Sequence, residues 1–79
     1  MTNRFTVIGE KSVALPLRVL GLFAQQDLAL AHVVLRERAG GYEMVVEETS
    51  LSPHRASIVL EKIRAIVLVE EAELEVFER

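Results

Sequence analysis

The sequence predicts an α+β domain in which a four-stranded antiparallel sheet carries two helices on one face. Three observations predict it. Four short runs alternate between apolar and polar or charged residues, as strands do. Two longer stretches repeat their apolar residues at helical spacing. The order along the 79 residues is β-α-β-β-α-β, and the length leaves room for one hydrophobic core only, so residues 1–79 read as a single domain.

The first strand is read over Arg4–Gly9, with Phe5 and Val7 on one face and Arg4, Thr6 and Ile8 on the other. Gly9 ends it, and Glu10-Lys11-Ser12 forms a polar hinge. The first helix occupies the stretch Ser12–Gln26, with Ser12 as its N-cap. Pro16 belongs in a first turn, so the helix cannot begin much before Ser12. Leu15, Val19, Leu22 and Phe23 form its apolar stripe, widened by Leu17 and Leu20, while Arg18 and Gln25 face water. Gly21 costs about 1 kcal/mol in an exposed helix interior, so close packing is expected there.

The second strand is read over Ala29–Arg38, with apolar side chains on both faces of its first half. Ala39-Gly40-Gly41 then supplies a hairpin turn that needs positive φ. The third strand, Tyr42–Glu48, sets Tyr42, Met44 and Val46 on one face and Glu43, Val45 and Glu47 on the other, and Glu47-Glu48 is expected to end it in water. Ser52 caps the second helix and Pro53 takes its first position, with Ala56, Val59, Leu60, Ile63 and Ile66 or Val67 inward. In the last strand Ala72, Leu74 and Val76 alternate with Glu71, Glu73 and Glu75. This order is the split βαβ, or ferredoxin-like, arrangement. Right-handed crossovers put the first and third strands in the middle and leave the second sheet face uncovered.

Composition narrows the function. A net charge of −3 with nine basic residues scattered among twelve acids argues against nucleic acid. The chain has no cysteine, so no disulfide, thiolate metal site or thiol nucleophile is expected. No apolar run reaches membrane-helix length and MTNRFTV lacks a signal-peptide pattern, so the expected location is cytoplasmic. Half the residues are hydrophobic, more than a small monomer hides easily, which predicts a second copy or a larger subunit as partner.

No catalytic, metal or cofactor set emerges. His32 and His54 lack ligand spacing, and Glu70, Glu71, Glu73, Glu75 and Glu78 spread along a strand instead of converging, which suits a solvated or edge-protecting face. Glu10-Lys11-Ser12 has no phosphate-loop glycines. The positional candidate is the loop Gly9–Ala14, which enters a helix N-terminus where free amides and the helix dipole favour a carboxylate, such as that of an amino acid.

Arg18-Val19-Leu20-Gly21-Leu22-Phe23 resembles the R-V-x-G-L-F helix of the ACT domain family, small ligand-sensing modules of the same element order. The likeness is closest to the regulatory (small) subunit of acetohydroxy acid (acetolactate) synthase, whose second helix resembles Glu61 to Val69, and it spans about Arg4 to Val76. The resemblance implies a non-catalytic regulatory domain for branched-chain amino-acid biosynthesis, working as a homodimer or higher oligomer with a catalytic subunit. It implies an effector site for a small amino acid at a dimer interface, carried here by Glu10, Lys11, Ser12, Val13, Ala14, Asp27, Leu28 and Ala29. Val13-Ala14 stands where the family has Pro-Gly, Lys11 where it has a polar residue, and Asp27-Leu28-Ala29 where it has Gly-Phe-Asn. These departures leave a second reading open, a structural self-association module with no small-molecule ligand.

Overall fold

The computed structural model describes residues 1–78. Its elements are β1 (Thr2–Glu10), α1 (Ala14–Gln25), β2 (His32–Arg38), β3 (Gly41–Glu48), α2 (Pro53–Arg64) and β4 (Val69–Phe77). The strands form one antiparallel sheet in the order β2-β3-β1-β4, so β1 and β3 are central as the crossovers require. Register fixes the two faces. Phe5 pairs with Val46 and Leu74, and Val7 with Met44 and Ala72; this face carries both helices. Leu15, Val19 and Phe23 of α1 and Ala56, Val59, Leu60 and Ile63 of α2 close the core over it. Phe23 meets Phe5 edge to face, with ring centroids 5.4 Å apart.

Several expectations are corrected. The first helix begins at Ala14 with Val13 at the cap, and the Ser12 hydroxyl accepts from the Ala14 amide at 3.2 Å instead of capping a deeper turn. Leu17 lies 64% exposed and does not widen the buried stripe. A Cβ at Gly21 would meet nothing within 4 Å, so packing within this chain does not account for it. At the hairpin, positive φ falls on Ala39 (49°) and Gly40 (82°), while Gly41 already belongs to β3. The second strand starts at His32, three residues later than its alternation suggests, because α1 ends in a turn that delays it. There Asp27 takes φ 54°, its amide donates to the Ala24 carbonyl and the Leu28 amide to that of Phe23. Every residue of β2 is exposed, because this edge lacks the helix cover that the central strands have. The second helix follows expectation, with the Ser52 hydroxyl accepting from the Arg55 amide at 3.2 Å. Beyond it Ile66 packs on the core and Val67 is 86% exposed.

Glu47 and Glu48 do not end their strand in water; both are buried. Glu48 shares the face of Met44 and Val46 and turns under the loop into α2. It accepts from the Leu51 amide at 2.9 Å, the Ser50 amide at 2.6 Å, the Ser50 hydroxyl, and Asn3 Nδ2 at 3.3 Å. Burial alone would raise its pKa, but these hydrogen bonds outweigh that and hold it below the ordinary carboxylate value. Asn3 also donates to the Leu51 carbonyl at 3.0 Å. One buried carboxylate thus ties the first strand, the third strand and the start of α2 together.

Candidate functional site

The loop Glu10–Ala14 leaves β1 where a backbone approach requires glycine. A Cβ at Gly9 would collide with the Leu68 carbonyl oxygen, which also accepts the Glu10 amide at 3.1 Å, across a register shift between β1 and β4. Gly41 is constrained likewise, since a Cβ there would lie 2.5 Å from the Gly9 carbonyl oxygen. These contacts fix the end of the sheet from which the loop departs.

Within the loop the Ser12 amide donates to the Glu10 carbonyl at 2.8 Å, and the Leu15 amide to the Ser12 carbonyl at 3.0 Å. With Ala14 bonded to the Ser12 hydroxyl, three amides that face the helix entrance are engaged inside the chain. Val13 lies 66% exposed at the cap. Lys11 reaches sideways to an ion pair with Glu37 on β2. The loop is therefore anchored to the edge strand, a link that sequence spacing does not reveal because the partners are far apart along the chain.

The other candidate residues, Asp27, Leu28 and Ala29, follow the opposite end of α1. Twelve helical residues separate the two groups, a length of about 18 Å. One chain does not bring them together. Asp27 occupies the left-handed position that glycine usually fills after a helix, Leu28 is half-buried against the core, and Ala29 is exposed.

The sheet face away from the helices is a charged surface. Arg4 bridges Glu47 at 2.9 Å and Glu75 at 3.3 Å, and its guanidinium lies 4.6 Å from the Phe77 ring centroid. Glu43 sits between Arg36 at 2.7 Å and Arg38 at 2.6 Å. The Arg36 hydrogen bond leads in holding its carboxyl below the usual range, with the charges of both arginines adding to it against burial. A shallow concavity over β1, β3 and β2 is floored by Thr6, Val34 and Val45 and rimmed by these ion pairs, with His32 at its edge. Each acid there is held by a base, and among the described residues no three His, Cys, Asp or Glu side chains converge as metal ligands would. Such a surface suits contact better than acid–base chemistry.

A family model described as an ACT-like domain matches residues 1–79. Solved structures share the fold. The ACT domain from GTP pyrophosphokinase of Chlorobium tepidum superposes with a TM-score of 0.81 at 15% identity, covering 95% of this chain and 97% of that one. The regulatory subunit of aspartate kinase from Thermus thermophilus gives 0.73 at 17% identity, over 94% of this chain and 50% of that one. The C-terminal domain of the MgtC protein from Mycobacterium tuberculosis gives 0.73 at 8% identity, over 94% and 84%. No curated protein sequence matches the chain.

Proposed function

The chain belongs to the ACT-like domain family, and on that premise we propose that it is a non-catalytic regulatory module that self-associates and senses a small amino acid. The observation that carries this reading is the division of the candidate site. Glu10–Ala14 and Asp27–Ala29 stand at opposite ends of α1, while Lys11 holds the first group against the edge strand through Glu37. Two copies joined along β2 set the first loop of one beside the second segment of the other. The effector site is then complete only in the pair, with Lys11 the cation nearest an effector carboxylate. The enzyme it serves is an amino-acid-biosynthesis enzyme of the cytoplasm, and the likeness of Arg18–Phe23 makes acetohydroxy acid synthase the partner of choice.

A specific observation favours the second reading, a self-associating module without a ligand. The Ser12, Ala14 and Leu15 amides are already engaged, and Ala14 adds a methyl group to the loop. Capture from native lysate with the tagged chain, repeated with a branched-chain amino-acid mixture, tests the regulatory assignment. Recovery of a large thiamine-dependent synthase, changed in amount by the mixture, is the expected result. Recovery of the chain alone, unaffected by the mixture, would sink the subunit assignment.

A further inference from the structure

We propose that the open sheet face carries a site for a small zwitterion between Arg38 and Glu70, complete within one copy and separate from the interface site above. A concavity of 250 Å³ lies where β1 ends and β2 turns into β3, with Ile8, Gly9, Gly40 and Gly41 along it and Arg38 and Glu70 at its sides. Its bare floor has a backbone cause. Gly41 is in register with Glu10 on one side and Arg38 on the other, and a Cβ there would lie 2.5 Å from the Gly9 carbonyl oxygen. Gly40 takes φ 82° in the hairpin. Neither position accepts a side chain without strain, so the concavity stays open. Glu70 reaches it through an irregularity of β4. Ile8 pairs with Glu71 and Gly9 with Val69, which leaves Glu70 as the extra residue of a bulge. Bulges re-aim a side chain, and this one sets an exposed carboxylate beside the glycines.

Both charges have capacity for a ligand. The Glu70 carboxylate has no ion-pair partner among the described residues. Arg38 gives Nη1 to Glu43 at 2.6 Å, but Arg36 also holds that carboxylate at 2.7 Å. The Arg38 side chain is 57% exposed, and its guanidinium has more N–H donors than one carboxylate oxygen uses. The two residues stand on the outer strands, so three interstrand spacings, about 14 Å, separate their backbones. They do not meet each other. A ligand bearing both a carboxylate and an ammonium group answers both, the carboxylate toward Arg38 and the ammonium toward Glu70. The concavity is smaller than the roughly 300–1,000 Å³ of pockets for drug-sized ligands, so it suits few heavy atoms. That chemistry is a free α-amino acid with a small side chain.

Amide NMR of the labelled full chain, titrated with L-alanine, acetate and methylammonium in turn, tests the site. L-Alanine is expected to shift the Gly9, Gly40 and Gly41 amides saturably, whereas acetate and methylammonium, each with one of the two charges, shift them little. Arg38→Gln and Glu70→Gln are each expected to weaken the alanine response about tenfold or more, as the loss of a charged hydrogen-bond partner does. Both side chains are exposed, and unchanged spectra away from the concavity verify that the variants fold. An equal response to acetate alone, or an alanine response that survives both substitutions, would overturn the zwitterion site. Shifts confined to Ser12–Ala14 and Asp27–Ala29 would overturn it while leaving the interface reading standing. No shift at any amide with millimolar alanine would overturn it as well.

Discussion

Gly9→Ala is expected to leave the chain largely unfolded or to lower its stability by about 3 kcal/mol or more, in the range reserved for backbone collisions and core disruption. The added Cβ meets the Leu68 carbonyl oxygen, a backbone atom, and lies close to both Leu15 methyl carbons as well. A flexible side chain could swing aside; a carbonyl that also accepts the Glu10 amide cannot do so without pulling β4 away from β1. Since β1 is central, both of its ladders would be strained. Gly21→Ala is the matched control, because a Cβ there meets nothing within 4 Å and a helix interior gains about 1 kcal/mol from the change. Urea denaturation of the two variants checks this. Equal stability for both would show that the close approach at Gly9 is readily relieved.

Glu48→Gln is expected to cost about 2–3 kcal/mol near neutral pH, since hydrogen bonds to a charged acceptor are worth about 1.5–3 kcal/mol and an amide cannot accept from all the donors at this site. The donors are the Ser50 and Leu51 amides, the Ser50 hydroxyl and Asn3 Nδ2, and their hydrogen bonds prevail over burial in lowering the Glu48 pKa. The pH dependence follows from that direction. A carboxyl whose pKa is depressed by folding contributes its stabilisation in full above the unfolded value, about 4.3, and loses it as pH falls through the folded value. The gap between the native chain and Glu48→Gln is therefore widest at pH 6–7 and narrows below about pH 4. For a domain of this size such a loss lowers the melting temperature on the order of 10–20 °C. A gap that stays constant down to pH 2 would show that Glu48 is not the titrating group.

The fold was legible because burial and periodicity agree in most elements. Phe5, Val7, Met44 and Val46 alternate as strands do, and all four are buried on one face. Ser52-Pro53 marks the start of α2 by local chemistry alone. What was less legible depends on neighbours distant in sequence. Glu48 was expected in water because carboxylates usually are, although strand alternation already placed it with Met44 and Val46; only Asn3 and the Ser50-Leu51 loop make that position tolerable. The exposure of β2 was hidden because an apolar run reads as core, whereas this edge strand lacks the helix cover of the central strands. Gly21 suggested packing because glycine is costly in an exposed helix interior, yet a Cβ there would meet nothing within 4 Å.

The candidate site was legible as a position and not as a set of contacts. The segment after the first strand can be located from Gly9 and Pro16, but its pairing to β2 through Lys11 and Glu37 appears only once the sheet is assembled. Asp27 carries a second lesson. The resembling family has glycine at this position, and here the backbone uses Asp27 in the left-handed conformation to terminate α1.

The central claim, a module that senses an amino acid, is tested most directly by melting the chain with and without each amino acid in turn. A ligand that binds only the folded state at a hundred times its Kd stabilises it by about 2.7 kcal/mol, a rise on the order of 10 °C for a domain of this length. The account predicts such a rise with a branched-chain amino acid. An unchanged melting temperature with every amino acid at millimolar concentration would contradict it and leave the ligand-free, self-associating module as the function.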